Sequence, residues 1–450
     1  MTSAAPATIG PTIGPTIGID FGTTNTVVSM THGDGPATLV RFPTAGGDIF
    51  AFRSALSFHA VMGANGRPNE LVTEAGPWAI EAYVEDPLET RFIQSFKTFA
   101  ASAAFTETKI LNKRYLFEDL LADFLLKLKA HGGAAMETLP PRVIVGRPVT
   151  FAGGNPDEAL ALARYEAGFR RLGFTDIRYA YEPVGAAFFF ARQLKQDATV
   201  LVADFGGGTS DFSIVRFERD AGKLRSTALA RSGVGLAGDA FDYRIIDQLV
   251  SPELGKGSLY RAFDNRLPIP QRYYTAFARW DQLALLRASK DMRDIRALQR
   301  TAMEPEKIAR LIEVLDDNHG YALYRAVSSL KEALSSQEDA VFRFEAGSVL
   351  IEKTVQRADF ERWIAPELKA IETAVDQALE RSGLGPDGVD RVFLTGGSSF
   401  VPAVREIFVR RFGAAKIEGG GEFESIASGL ALIGREADLD LWSEKARLPA

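Results

Sequence analysis

"IGIDFGTTNTVVSM" runs from Ile17 to Met30, and "VADFGGGTSDFSIV" runs from Val202 to Val215. Each is an apolar run ending in Asp-Phe-Gly, then Gly or Thr turn residues, then a β-branched run, so each reads as strand, tight turn, strand. Their aspartates, Asp20 and Asp204, stand 184 positions apart. A hairpin of Gly and Thr turns several backbone N–H groups toward one point and cradles phosphate oxygens, with Thr hydroxyls as further donors. Two such turns, each led by an aspartate at the end of a buried strand, imply duplicated lobes that grip a polyphosphate from opposite sides. Mg²⁺ suits the aspartates, because it is a hard cation that takes carboxylates, often through retained waters, and bridges phosphate oxygens.

A third glycine turn follows the strand Val392 to Thr395 in "VFLTGGSSFVPAVREIF". Here Gly396 and Gly397 would let a flat ring approach the backbone, and a helix starting near Val401 would offer a polar N-terminus. The order of the three turns is more specific than any one of them. "GVGLAG", Gly233 to Gly238, also fits the G-x-G-x-x-G dinucleotide pattern, but no convincing strand follows "DAFDYRIIDQLV", so it reads as a phosphate-side turn. A G-x-x-x-x-G-K-[ST] loop is absent, which excludes a P-loop protein.

The 450 residues are too many for one hydrophobic core. Hydrophobic residues at 46% and charged ones at 24% mark a globular chain rather than a disordered one. With 52 basic and 58 acidic side chains the net charge is −6, and no basic tract suggests nucleic acid as a partner. Cysteine is absent, excluding disulfides and thiolate chemistry, and His32, His59, His131 and His319 form no metal-ligand spacing. No apolar run is long enough to span a bilayer and no signal peptide is evident, so a cytoplasmic protein without membrane association is expected.

Strand signals recur at Thr38 to Phe42, Arg142 to Gly146, Thr199 to Asp204, Phe212 to Phe217, Ala340 to Glu345 and Arg391 to Thr395. Helical spacing joins Phe117, Leu120, Leu121, Phe124, Leu125 and Leu128, and again Leu368, Ile371, Val375 and Leu379. The alternation makes the fold class α/β. The stretch from about Pro252 to Thr301, rich in Arg, Tyr and Trp, has no clear period; its aromatics either pack within that segment or form an exposed docking surface.

On these motifs the chain resembles the actin-like ATPases, and within them the seventy-kilodalton heat-shock chaperones of DnaK type. "GIDFGTTNT" and "DFGGGTSDFSI" are similar to that family's two phosphate motifs, "LTGGSSFVPAV" to its adenosine motif and "SLKEALSS" to its adenosine-contacting helix. "VIVGRPVTF" with "FRRLGFTDIRYAYEPVGAA" resembles the connecting segment, and "GVGLAGDAFD" the turn after the second lobe's first strands. The matches run from about Ile17 to Gly434. The wording and length are most similar to the short YegD-like branch, which lacks the peptide-binding region.

The resemblance implies an actin-like ATPase fold with ribonuclease H-like duplicated lobes and a nucleotide cleft between them. Residues 1–16 are expected as a flexible leader, 17–197 as the first lobe, 198–420 as the second with an insertion near 252–301, and 421–450 as a helix and tail returning toward the first. It implies ATP or ADP with Mg²⁺ as ligands, slow hydrolysis to ADP and phosphate, and protein clients or co-chaperones as partners. A sugar- or acetate-type kinase and an actin-like filament protein are the alternatives on the same fold.

Residue by residue, the resemblance assigns Asp20 and Asp204 to Mg²⁺. It assigns Gly22, Thr23, Thr24, Asn25, Gly206, Gly207, Gly208 and Thr209 to the phosphates, with Gly235 and Gly238 on the phosphate-side turn. Lys97 takes the place of the lysine that faces the γ-phosphate and attacking water, and Glu182 that of the carboxylate orienting this water. Glu182 also reads as a simple cap for the helix at Pro183. Asp211 would support the water and Thr209, and Pro148 sits at the family's proline switch. Lys331, Ser335, Gly396, Gly397, Ser398 and Phe400 would hold adenosine. Phe400 stands where the family usually has arginine and either stacks on the base or packs on the following helix; Ser328 replaces a ribose-gripping glutamate, and Ala237 replaces a glycine. "LDLW", near the end, resembles the family's apolar interdomain linker.

Overall fold

The computed structural model describes residues 14–446 except 34, 63–67, 87–88, 111–112, 192–195, 221–222, 279–285, 287–288, 318, 420–423 and 437. The expected leader lies, up to residue 13, outside the described residues.

Each of the two quoted stretches folds into an antiparallel hairpin at the centre of a sheet. In the first, strand Thr16–Phe21 pairs with Asn25–Thr31, setting Asp20 opposite Val27 and Phe21 opposite Thr26. In the second, Ala198–Phe205 pairs with Ser210–Asp220, setting Asp204 opposite Asp211 and Phe205 opposite Ser210. Each leading strand then takes a parallel neighbour on its other side: Arg142–Arg147 beside the first and Arg391–Thr395 beside the second. Parallel neighbours require long crossovers, which is why each sheet gathers strands far apart in sequence.

The first sheet has seven strands, running from Glu444–Lys445 through Asp176–Tyr181, Arg142–Arg147, Thr16–Phe21 and Asn25–Thr31 to Thr38–Leu39, with Ala51–Arg53 also paired to Asn25–Thr31. The second has five, in the order Lys223–Val234, Ser210–Asp220, Ala198–Phe205, Arg391–Thr395, Ile417–Glu418. The expected strand from Thr38 to Phe42 is broken at Val40 and Arg41, and a separate two-stranded turn begins at Phe42.

Three apolar clusters follow from this layout. One lies under the first sheet, where Ile17, Ile19 and Phe21 meet the helix Phe117–His131 through Leu121, Phe124 and Leu128. A second lies under the second sheet, joining Leu201, Ala203 and Phe205 to Ile371 and Val375 of the helix Ala365–Ser382. The third joins both sheets: Ile144 and Ala180 from the first and Val200, Val202 and Phe393 from the second enclose the helices Glu182–Ala191 and Ser425–Ile433. Those helices touch backbone to backbone. A Cβ on Gly429 would fall 1.8 Å from the Gly185 carbonyl oxygen, so only glycine permits the crossing. Trp442 closes this cluster, edge-on to Phe188 at 4.5 Å.

The segment between 252 and 301 contains a two-stranded hairpin, Leu259–Ala262 with Asn265–Pro268, and the helices Gln271–Ala278 and Lys290–Gln299. Tyr273, Tyr274 and Phe277 point inward and are buried. These three pack inward, whereas Phe263, in the turn of the hairpin, is exposed; Trp280 lies outside the described residues. Among the described residues no helix is long and apolar enough to cross a membrane.

Candidate functional site

The two hairpins face each other at the mouth of one cleft of about 710 Å³. They touch. A Cβ on Gly207 would fall 2.2 Å from the Thr24 hydroxyl, and one on Gly208 would lie 3.5 Å from that of Thr23. Glycine in the second turn is thus what allows the first to approach it. Ser54 ties down the first turn, its N–H donating to the Thr24 carbonyl at 2.9 Å and its hydroxyl to that of Gly22 at 2.7 Å. The N-terminus of the helix Gly238–Ile245 ties down the second, through Asp239 N–H to the Gly207 carbonyl at 2.8 Å.

Beneath the hairpins lies an acidic floor. Asp20 and Asp204 end their strands there, and Glu182 opens the helix that follows Asp176–Tyr181. Lys97, from the short turn Phe96–Phe99, donates from Nζ to Glu182 Oε1 at 2.7 Å, with both side chains buried. The Glu182 carboxylate is therefore committed to Lys97 rather than to capping its helix. Asp211 is fully buried behind the cleft and accepts from the N–H groups of Val149 and Thr150 at 2.8 and 3.2 Å. That contact links the second sheet to the segment just after Pro148.

Four carboxylates against one ammonium leave uncancelled negative charge in a dry place. Burial, and then the charge of Glu182, push Asp20 up to about 7. The same causes push Asp211 up to about 7, and they raise Asp204 well above the usual carboxylate range. Burial opposes the charge on Lys97, but Glu182, Tyr165 and Asp20 outweigh it and raise its pKa. The ammonium stays charged.

The far end of the cleft is lined by the helix Gly320–Ser336 and the turn after Arg391–Thr395. Lys331 is ion-paired to the buried Asp242 at 2.7 Å, and Ser335 donates to the Lys331 carbonyl at 2.9 Å. Phe400 is 49% exposed and lines the cleft with Gly396, Gly397 and Ser398. The space at Gly396 is taken by the chain itself: a Cβ there would meet the Phe205 carbonyl oxygen at 2.1 Å. Only glycine fits at this position, and Gly396 lines the cleft with Gly397 and Phe400.

Of the residues singled out in the sequence, Asp20, Gly22, Thr23, Thr24, Asn25, Lys97, Glu182, Asp204, Gly206, Gly207, Thr209, Gly238, Lys331, Ser335, Gly396, Gly397, Ser398 and Phe400 line this one cleft, as does Ser328. Gly208, Asp211 and Gly235 do not. Asp211 sits behind the lining, and a Cβ on Gly235 would meet nothing within 4 Å.

Sequence reading missed Arg53, Asp242 and Tyr324, which also line the cleft. Arg53 donates to the Tyr324 hydroxyl and lies 5.2 Å from its ring centroid, across 271 positions of chain that carry no local signal of the pairing. Asp242 was visible only as part of "GDAFDYR". His319 lies beside Glu313 and Asp317, with their ligand-capable atoms within 4.8 Å of one another. Glu313 there accepts from the N–H and hydroxyl of Ser348.

A protein-family model described as "Hsp70 protein" matches residues 90–259 and 297–436. The chain belongs to the Hsp70 family. Its fold is accordingly the actin-like ATPase fold, with the α/β layout described above. "Chaperone protein DnaK" of Deinococcus proteolyticus is 27% identical over 92% of this chain and 58% of its own length. "Chaperone protein DnaK" of Thermus thermophilus is 25% identical over 92% of this chain and 59% of its own. This Hsp70 chain thus spans less than two thirds of these relatives.

Proposed function

We propose that this chain binds ATP and ADP with Mg²⁺ in the cleft and hydrolyses ATP slowly to ADP and phosphate, as a chaperone-type ATPase. The observation that carries this reading is the acidic floor at the meeting of two glycine hairpins: Asp20, Asp204, Asp211 and Glu182, with Lys97 as the one cation lining the cleft floor among the described residues. Carboxylate oxygens in excess over cations are the donor set a hard divalent cation needs. Asp20 and Asp204 would hold the Mg²⁺, which supplies charge neutralisation at the phosphate oxygens.

The remaining work falls to the chain. Backbone N–H groups and hydroxyls of Gly22 to Asn25 and Gly206 to Thr209 cradle the β- and γ-phosphates from both sides. Lys97, charged and buried, turns its ammonium to the γ-phosphate, and Glu182 orients the attacking water and accepts its proton. Asp211 fixes Thr209 and, through Val149 and Thr150, ties that geometry to the first sheet. Lys331, Ser335 and Phe400 hold the nucleoside, Phe400 by stacking on the base. Catalysis of this kind is placement and charge stabilisation without a covalent intermediate.

On this reading residues 17–197 and 198–420 are two lobes closing on the nucleotide, with 421–450 returning to the first. The protein then works in the cytoplasm, with protein clients or co-chaperones as partners and no nucleic acid. Calorimetric titration with ATP, ADP and GTP, with and without Mg²⁺, tests this alongside phosphate release. Tight Mg²⁺-dependent binding of ATP and ADP with slow release of phosphate is expected. No nucleotide binding, or transfer of phosphate to a small metabolite in preference to water, overturns it.

A further inference from the structure

Among the described residues only Ser95 and Phe263 take a left-handed backbone without being glycine, at φ 52° and 55°. Phe263 is exposed in the turn of its hairpin, whereas Ser95 is buried two positions before Lys97. The left-handed region crowds a Cβ against the following carbonyl, so a serine stays there only where its surroundings impose it, and such outliers gather at functional sites.

The imposing contacts are local. The strand Arg91–Gln94 ends by pairing Gln94 with Ala55, and the tight turn Phe96–Phe99 begins at once. Ser95, at φ 52° and ψ 25°, makes the bend between them. Its carbonyl accepts twice from Thr98, from the N–H at 3.1 Å and from the hydroxyl at 2.8 Å. A turn of this kind has about three residues per revolution, so successive side chains point about 120° apart. Phe96 goes into the core, its ring centroid 5.5 Å from that of Phe21 and 5.6 Å from that of Phe124. Lys97 goes to Glu182. Thr98 goes to the second hairpin, where a Cβ on Gly208 would lie 3.8 Å from its Cγ2. All three directions follow from one backbone rotation at Ser95. A chain leaving the strand in extended or right-handed backbone would not deliver Phe96 to the core and Lys97 to Glu182 together.

We propose that Ser95 and Thr98 are positioning residues for hydrolysis: the left-handed backbone of Ser95, locked by the two bonds from Thr98 to its carbonyl, aims Lys97 at the floor of the cleft. The inference rests on the ATPase reading above, in which Lys97 turns its ammonium to the γ-phosphate. The same lock sets Thr98 against Gly208, so the turn that carries the lysine is referenced to the hairpin that cradles the phosphates.

The test uses three variants of the full chain. Thr98→Val removes the hydroxyl and keeps the methyl beside Gly208. Single-turnover hydrolysis should fall roughly threefold to tenfold, the effect of one lost hydrogen bond, while calorimetric Kd values for ATP and ADP stay within about twofold. Ser95→Val, whose branched side chain is strongly disfavoured in left-handed backbone, should lower turnover roughly tenfold or more. Ser95→Gly, free to take that conformation, should keep turnover within about twofold of wild type. A role in packing alone would move the melting temperature and leave the turnover of folded protein where it was. Wild-type turnover in Thr98→Val, or a loss in Ser95→Gly as large as in Ser95→Val, overturns the inference while leaving the ATPase reading intact; Thr98→Val decides by itself where Ser95→Val does not fold. A wild-type chain that binds ATP but never hydrolyses it overturns the ATPase reading, and this one with it.

Discussion

Lys97 Nζ and Glu182 Oε1 stand 2.7 Å apart on the floor of the cleft, 85 positions apart in sequence and both buried. The pair is placed by a turn on one side of the first sheet and a helix start on the other. Its geometry therefore depends on the fold of that whole sheet, and it is surrounded by three more carboxylates. A buried pair in such a setting is costly to break and of small net value compared with an apolar pair.

That asymmetry separates stability from catalysis. Lys97→Ala leaves Glu182 unpaired and should destabilise the nucleotide-free protein by about 3 kcal/mol, whereas Lys97→Met with Glu182→Gln should recover most of that loss. Hydrolysis should be lost in both, and ATP affinity should suffer much less than turnover in Lys97→Ala. Urea denaturation and single-turnover assays check the two halves. A double variant as unstable as the single one would show that the pair does not act as a unit.

Arg53 and Tyr324 join the edge of the first sheet to the helix that carries Ser328, Lys331 and Ser335. Tyr321, one turn earlier on that helix, meets Tyr83 at 6.2 Å and Phe92 at 5.9 Å. On the proposed reading this bridge would enclose a nucleotide in the cleft. Arg53→Ala removes a hydrogen bond and a cation–π contact and should speed release of a fluorescent ADP analogue about tenfold in stopped-flow displacement. Tyr324→Phe, which keeps the ring, should fall between. Unchanged release in Arg53→Ala would assign the bridge to packing alone.

Glu74 supports the helix Phe117–His131 from outside, accepting from Lys127 at 3.0 Å and lying 2.9 Å from His131, whose ring stacks on Trp78 at 3.5 Å. Burial works against its charge, but the hydrogen bonds with His131 and Lys127 outweigh that and hold its carboxyl below the usual range. A depressed folded-state pKa contributes stability above the unfolded pKa, and that stability is lost as pH falls through the folded value. Glu74→Gln should cost about 1 kcal/mol at pH 7, a discounted value for a group partly open to solvent. The difference from wild type should vanish at a pH low enough to protonate the Glu74 carboxyl in both folded and unfolded chains. A gap that persists there would make the effect steric.

Much of the site was legible because its parts are local. A strand that ends in Asp-Phe-Gly and turns back fixes its own register, so Asp20 faces Val27 and Asp204 faces Asp211 as a consequence of tight turns. Lys97 and Glu182 were assignable only by resemblance, since their meeting depends on tertiary geometry. Arg53 with Tyr324 left no trace in periodicity. At Gly396 the sequence shows that the residue is small but not why: the neighbouring Phe205 backbone leaves no space for a Cβ there.

Asp204 shows how the site trades stability for function. Burial, then the charges of Glu182, Asp20 and Asp211, raise its pKa well above the usual range, so its ionised form is penalised in the nucleotide-free fold. Asp204→Asn keeps the shape and removes one charge from the cluster. The variant should melt about one to two degrees higher than wild type without Mg²⁺, corresponding to a gain of about 1 to 2 kcal/mol. It should also lose the further stabilisation that Mg²⁺ with ADP gives the wild type, together with Mg²⁺-dependent turnover. Thermal melts with and without Mg²⁺–ADP, read beside phosphate release, decide the matter. Full turnover in Asp204→Asn, or a nucleotide-free melt lower than wild type, would mean that the acidic floor is not the cation site inferred here.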